Sequence, residues 1–295
     1  MPQHSPAEDD LETATLPWRD YLDRIGHHGD LAPSLECLRA LHTAHLRSVP
    51  YEMLQTFDGV LPVLDHTASF AKLVARGRGG NCLESTPLFG ELLRHIGFRT
   101  RLVPAQIWKV SGEWWEAWDH LLLIVTVDGV DHLVDVGFLM VTFTEPLRAD
   151  GTPQQQDGWT FRVTEEDGHP TVSRQEPDGS WTPVYRYRDE AQQRSDYEWI
   201  VDFHLRAEDS PLIGTVLCAR NVPGGKLIMV GENHLRAFKG RVSAEYVETP
   251  ARAEELFRRI FEGHEHLVGD AVRHWETARA DRSPRRSLLA RKEEQ

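Results

Sequence analysis

The chain runs to 295 residues yet holds only three cysteines, Cys37, Cys82 and Cys218, with no CxxC pair among them. An odd, scattered set gives neither a disulfide framework nor a zinc module, and it suits a reducing compartment. Basic residues are also short: 33 Lys and Arg stand against 46 Asp and Glu, a formal net charge of −13. That balance argues against nucleic acid or an anionic membrane as the main partner, since both call for clustered positive charge. The longest apolar run, Leu121 to Val127, contains Thr126 and is far too short to span a bilayer. The opening residues offer Glu8, Asp9, Asp10 and Glu12 in place of a basic and then apolar signal, so the expected location is cytoplasmic. There is no internal repeat, Walker loop or HExxH pair.

What is present describes a globular protein. Apolar residues make up 40% and charged residues 27%, so the whole chain is not disordered, and its length suggests two or three domains.

The stretch Arg78-Gly79-Gly80-Asn81-Cys82-Leu83-Glu84 places a lone cysteine where a glycine-rich loop turns into a helix. A helix N-terminus favours the thiolate, which is the nucleophilic form. The two glycines are expected to let the backbone turn sharply and approach a substrate, and Asn81 is a good N-cap. An isolated cysteine is more commonly a small buried hydrophobe, so the case for chemistry rests on what surrounds it.

Four helices are predicted around this stretch: one from about Pro17 or Trp18 to Ile25 closed by Gly26, a second capped by Ser34 and ended at Val49-Pro50, a third over about Ser69 to Ala75, and one after Cys82 marked by Leu88, Leu92, Leu93 and Ile96 and terminated by Gly97. Pro87 inside the fourth predicts a kink there, or a separate short turn carrying Cys82. His42 and His45 share a face of the second helix without a further ligand set nearby, so polar groups at a core edge are a better account than a metal site. From Phe98 the pattern changes to strands: Arg101 to Val110, Asp119 to Val127, and Val130 to Phe138 across an Asp128-Gly129 turn.

That turn fixes a register. With Val127 facing Val130, Asp135 falls opposite Leu122, and His120 lies on the same face as Leu122. His120 and Asp135 become diagonal neighbours roughly 7–8 Å apart along the backbone, within side-chain reach. On strands otherwise apolar, each is costly to bury alone and economical to bury as a pair. An aspartate that orients an imidazole, an imidazole that takes a thiol proton, and Cys82 as nucleophile form a candidate triad. Activation alone does not suffice. An ordinary thiol of pKa about 8.5 is about 3% ionised at pH 7, so full ionisation gains at most roughly 30-fold. Positioning and oxyanion stabilisation by backbone N–H groups around Cys82 must supply more.

With these residues placed, the chain resembles the arylamine N-acetyltransferases. The resemblance rests on Arg78 to Glu84, on Asp119-His120 before an apolar strand, and on Leu133-Val134-Asp135-Val136-Gly137-Phe138. Leu38-Arg39-Ala40-Leu41-His42-x-x-His45 with Val49-Pro50-Tyr51-Glu52 is similar to the family's N-terminal helical region. It implies an α+β fold: an N-terminal helical bundle, a central β-barrel and a C-terminal α/β lid about a cysteine-protease-like catalytic core. The corresponding segments are 1–97, 98–204 and 205–295. It also implies a ping-pong reaction in which a thioester, usually acetyl-CoA, acylates Cys82, with His120 as base and Asp135 as orienter, and an arylamine-type acceptor takes the acyl group.

Gly137, Phe138 and Leu139 then mark the donor site, and Tyr51, Trp108 and Trp118 are the candidate acceptor contacts, drawn in part from the cluster Trp108, Trp114, Trp115 and Trp118. No permanently bound cofactor and no metal are expected. This chain departs from the family at Tyr51-Glu52-Met53, at Thr86, at Leu139 where a glycine is usual, and along Leu205 to Ser210. Those departures bear on the donor and keep two other readings beside the first. One is an amide synthase or natural-product acyltransferase served by a carrier-protein thioester, and the other is a cysteine hydrolase or peptidase with the same triad. A non-catalytic binding protein is disfavoured by the presence of all three triad residue types. Toward the C-terminus the pattern predicts strands over Trp159 to Val163 and Thr171 to Tyr187, a hairpin about Gly224-Gly225, a final helix from Glu254 to Phe261, and a charged tail from Asp281.

Overall fold

The computed structural model describes residues 16–190, 194–205 and 212–281. The expected leader, the tail beyond Asp281 and positions 206–210 of the divergent stretch lie outside the described residues. Among the described residues no helix is long and apolar enough to cross a membrane.

The N-terminal helices follow their signals closely. Helix α1 (Trp18–Ile25) ends at Gly26, whose φ of +70° is left-handed and suits glycine. Ser34 caps α2 (Leu35–Ser48) by accepting a hydrogen bond from Cys37 N at 3.2 Å. Strand β1 (Tyr51–Glu52) comes next. The third helix begins earlier than its spacing predicted. Asp65 accepts from Ala68 N at 2.6 Å and starts α3 (His66–Phe70), which runs on as a π-helical turn over Ala71–Ala75.

Helix α4 (Cys82–Ile96) is continuous, so Cys82 does not ride on a separate turn. Pro87 costs it the bond to the Leu83 carbonyl, but every residue from Leu83 to Leu93 is buried, and that packing outweighs one missing hydrogen bond.

Eight antiparallel strands then form a nearly closed barrel. They are β2 (Arg99–Ile107), β3 (His120–Val127), β4 (Val130–Val134), β5 (Leu147–Arg148), β6 (Gln154–Gln156), β7 (Trp159–Glu166), β8 (His169–Gln175) and β9 (Trp181–Tyr187). Their order is β5-β4-β3-β2-β9-β8-β7-β6, and β5 returns against β7. Asp128-Gly129, Asp157-Gly158 and Asp167-Gly168 have positive φ at both residues, the geometry that matches the twist of tight hairpins.

Two strand ends differ from expectation. β2 stops at Ile107 rather than Val110, because Trp108 leaves to form a bridge with Trp114. β4 stops at Val134 rather than Phe138, because side chains take the following backbone groups: His42 Nε2 bonds Asp135 O at 3.0 Å, and Lys226 Nζ donates to Phe138 O and Met140 O at 2.5 and 2.8 Å.

Beyond the barrel lie α5 (Glu198–Leu205) and a five-stranded antiparallel sheet. Its strands are β10 (Leu217–Val222), β11 (Gly225–Val230), β12 (Asn233–Phe238) and β13 (Arg241–Tyr246), with β1 paired to β10. Pro223 and Gly224 form the β10–β11 loop. Gly225 belongs to the strand, where an added Cβ would lie 2.4 Å from Ala237 O. The expected last helix starts earlier, at a Thr249 cap, as α6 (Pro250–Ile260), and it is followed by α7 (Val268–Ala280).

Two strands act as shared walls between cores. Along β3, Leu121, Leu123 and Val125 pack with Leu88, Phe89 and Leu92 of α4, while Leu122 and Ile124 face the barrel interior with Phe161 and Tyr185. Along β11, Leu227 and Met229 meet Phe257 and Trp275 of the C-terminal helices, and Ile228 and Val230 face the barrel side. Period-two alternation thus lets one strand bury side chains in two cores, each worth about 1.5–3 kcal/mol for a fully buried aliphatic. It also assigns His120 and Lys226, both at even positions, to the barrel side.

Candidate active site

Cys82 is the first residue of α4, directly after Asn81, whose Oδ1 accepts from Leu83 N at 3.1 Å. Glu84 reaches back to Asn81 N at 3.3 Å and is gripped by Lys72 Nζ at 2.8 and 2.9 Å. Burial pushes the Glu84 carboxyl up, and the Lys72 ammonium opposes that shift. Below the loop, Arg78 donates to Glu52, which also accepts from Leu54 N at 2.7 Å. The loop is therefore fixed by buried ion pairs.

The glycines before the cysteine serve a different contact from the one expected. Neither has positive φ, and a Cβ on Gly79 would lie 2.1 Å from Pro50 O. Gly80 N donates to that same carbonyl at 3.2 Å, and Gly80 pairs with Tyr51. They let the loop lie against β1, not against a ligand.

The hairpin register is the one read from the turn. Val127 pairs with Val130 and Leu123 with Val134, the last pair of the ladder. His120 and Asp135 project to the same side just beyond it, with His120 Nε2 2.9 Å from Asp135 Oδ2. Both are almost entirely buried. The carboxylate is held once more, by Gly137 N donating to its Oδ1 at 3.1 Å, and the backbone carbonyl of Asp135 is bonded by His42. Burial pushes His42 down to about 4, so it is neutral and positions Asp135 from behind.

Burial disfavours a charge on His120, but the Asp135 carboxylate, its hydrogen bond and a hydrogen bond with Cys82 prevail and raise its value from 6.5 to about 10. Burial likewise raises Asp135, and the His120 charge outweighs it, holding that carboxyl below the usual range. The charged His120 ring therefore stabilises the fold fully below about pH 6.5, a contribution lost as pH rises through about 10. The expected outcome in nitrogen-15 NMR is a His120 ring still protonated at both nitrogens at pH 8 and titrating near 10; a midpoint near 6.5 would contradict this electrostatic account.

Cys82 is half-buried, with its thiol 4.0 Å from Asp119 O. It faces a cavity of about 1000 Å³ that is also lined by His120, Tyr51, Trp108, Gly137, Phe138 and Leu139. Gly137 presses against the Cys82 backbone: an added Cβ would sit 2.5 Å from Cys82 Cα and 2.8 Å from Thr86 Oγ1. Phe138 packs on the His120 ring at 4.9 Å.

Trp118, proposed as an acceptor contact, does not line the cavity. Its ring lies on the outer barrel face between His169, at 4.9 Å, and the Arg188 guanidinium, at 4.1 Å. Trp115, of the same tryptophan cluster though not among the three candidate contacts, lines the cavity. Its carbonyl accepts from Gln106 Nε2 at 2.5 Å, and Gln106 Oε1 accepts from Arg186. His42 and His45 are not a pair, since His45 Nδ1 bonds Tyr21 OH at 2.8 Å while His42 turns to Asp135. Among the described residues no group of His, Cys, Asp and Glu is arranged to hold a metal ion. The sequence carried a signal for His42, its place on the buried face of α2; for Lys226 it carried none.

Comparison with known proteins gives a consistent set. A family model described as N-acetyltransferase matches residues 34–264. Proansamycin X synthase of Amycolatopsis mediterranei is 29% identical over 249 residues, which cover 82% of this chain and 96% of that protein. An arylamine N-acetyltransferase / N-hydroxyarylamine O-acetyltransferase of Salmonella typhimurium is 32% identical, covering 74% and 78%. Among solved structures, the arylamine N-acetyltransferase of Mycobacterium abscessus superposes with a TM-score of 0.81 at 26% identity over 96% of this chain and all of that one. The Mycobacterium marinum enzyme in complex with CoA gives 0.79 at 26% identity, covering 88% and 99%.

Proposed function

The chain belongs to the N-acetyltransferase family, in the arylamine N-acetyltransferase group, and is an acyltransferase; from that premise we propose a ping-pong transfer of an acyl group from a thioester to an arylamine-type acceptor through Cys82. The observation that carries this reading is geometric. Cys82 at a helix start and a buried His120 bonded to Asp135 open onto one cavity of about 1000 Å³, room for a donor arm and an aromatic amine in turn.

In this mechanism Asp135 accepts from His120 Nε2, and the proton on Nδ1 is the one taken from the Cys82 thiol. The Cys82 thiolate attacks the thioester carbonyl carbon, and the oxyanion is met by backbone N–H groups at the start of α4. Collapse expels the donor thiol, which takes the proton from His120. The amine then attacks the Cys82 acyl group, His120 removes its proton, and the Cys82 sulfur leaves. The sheet of β10 to β13 acts as a lid, with Ile228, Leu235 and Val242 on the cavity wall. Intact-protein mass spectrometry tests the reading: incubation with an acyl-CoA should add one acyl group at Cys82, and an arylamine should remove it as amide. Loss of the acyl group to water at a rate unaffected by amine would instead indicate the hydrolase.

Acyl-CoA suits the donor role, in keeping with the neighbour solved with CoA. A second donor reading has its own observation. Leu139 is buried in the cavity wall where the family resemblance expects glycine, and a relative covered over 96% of its length is named a synthase. In that reading the donor is a larger or carrier-bound thioester. Leu139→Gly should then raise the rate of acetylation by acetyl-CoA roughly tenfold, the scale on which a pocket distinguishes a few methylenes. Acyl-enzyme formation followed by mass, with acetyl-CoA, longer acyl-CoAs and a carrier-protein thioester offered separately, decides it. Rapid acetylation of the unaltered protein would remove the case for a specialised donor.

A further inference from the structure

Lys226 is an ammonium group in a place where charge is expensive. It is 5% exposed, at an even position of β11, and so projects to the same side as Ile228, which lines the cavity. Among the described residues it has no ion pair within 4.0 Å, and its nitrogen is spent on two backbone carbonyls, Phe138 O at 2.5 Å and Met140 O at 2.8 Å. Burial lowers it to about 8, against the attraction of Asp135. Two hydrogen bonds to neutral carbonyls offset that cost only in part, so the group is informative for where it directs its donors. The carbonyls it holds belong to the turn that does three things at once: Gly137 touches Cys82 and donates to Asp135, Phe138 packs on His120, and Leu139 forms cavity wall.

We propose that Lys226 is a positioning residue for acyl transfer, its ammonium fixing the 137–140 turn so that Asp135, His120 and Cys82 keep their mutual geometry. The connection runs through bonds in sequence: Lys226 Nζ to the carbonyls on both sides of Leu139, the same turn's Gly137 N to Asp135 Oδ1, and Asp135 Oδ2 to His120 Nε2. Lysine suits the position because a single nitrogen carries three donors in a tetrahedral array and can serve two carbonyls that are close together. The proposal rests on the acyl-transfer reading for its role, but not for its structural readout.

The test compares Lys226→Met, which keeps the stem and removes the donors, with Lys226→Gln, which keeps an NH₂ group. Folding is checked by circular dichroism and thermal melting. In folded Lys226→Met the rate of acyl-enzyme formation should fall about 10–100-fold, the cost of misplacing a reacting group by about an ångström. The His120 titration midpoint should move down from about 10 as Asp135 loosens. Lys226→Gln should recover part of both losses, and it carries the comparison if the methionine variant does not fold. Folded variants with acylation within about twofold of the unaltered protein and an unmoved His120 midpoint would overturn the proposal. If the unaltered protein takes no acyl group from any thioester, the acyl-transfer reading fails, while the His120 midpoint still decides whether Lys226 positions the turn.

Discussion

Cys82→Ala is expected to abolish turnover, lowering the rate by at least about a thousandfold, because among the described residues Cys82 is the one thiol that lines the cavity and it stands beside the His120–Asp135 couple. The other two cysteines make good internal controls. Cys37 is buried, and burial followed by the nearby Asp30 charge pushes its thiol up. Cys218, on β10, is buried against the C-terminal core, and burial and then Glu52 push it up further. Both thiols should therefore alkylate slowly. Limiting iodoacetamide, followed by peptide mass mapping, should label Cys82 alone in the unaltered protein and no site rapidly in Cys82→Ala. Activity in the variant above a trace would remove the covalent mechanism. The fold should survive, since Cys82 is half-buried and the substitution removes only a sulfur atom from the first position of α4.

Asp135→Asn should keep the fold and cost about three to four orders of magnitude in rate, the size of effect seen when the carboxylate of such a triad becomes an amide. Volume is conserved and the bond from Gly137 N can persist to the amide oxygen. What changes is the ring. An amide NH₂ facing Nε2 places the imidazole proton on Nδ1, the nitrogen needed to receive the thiol proton. The counter-charge is also lost, so burial of His120 is opposed by less and its value should fall from about 10. Rate and ring titration should move together. A variant with a nearly unchanged rate, or with a lowered rate and an unmoved His120, would separate Asp135 from the chemistry assigned to it.

How far the sequence reaches is clearest at the β3–β4 hairpin. Asp128-Gly129 demands positive φ at two successive residues, and that requirement fixes the register through Val127 and Val130 without knowledge of the rest of the chain. Once the register is set, period-two alternation places His120 and Asp135 on one side. The start of α4 was equally legible, because Asn81 and Glu84 cap the helix from within three residues of Cys82. Interactions of short sequence separation leave their mark in local residue choice, and these are of that kind.

Local pattern misleads wherever a partner comes from far along the chain. β4 was expected to reach Phe138, and it stops at Val134 because His42 and Lys226, about ninety residues away on either side, claim the backbone that a further strand would use. Gly79 was assigned to a substrate and belongs to Pro50 O. The nearness of Trp118 to His120 in sequence predicts a place in the cavity wall, but its ring packs under the Arg188 guanidinium, past the end of β9, on the outer face. Pro87 signalled a break that burial on all sides of α4 overrides.

The sequence by itself therefore determined the helical setting of Cys82, the facing of imidazole and carboxylate, and the resemblance that names the family, since each depends on residues adjacent in the chain or joined by one tight turn. Only the tertiary structure decided that Cys82 and the His120–Asp135 couple share a cavity, which residues wall it, and what holds the turn between them. Those outcomes depend on packing of α4 against β3 and of β11 behind the 137–140 turn, contacts whose free energy comes from burial and hydrogen bonds between distant segments and leaves no local pattern to read.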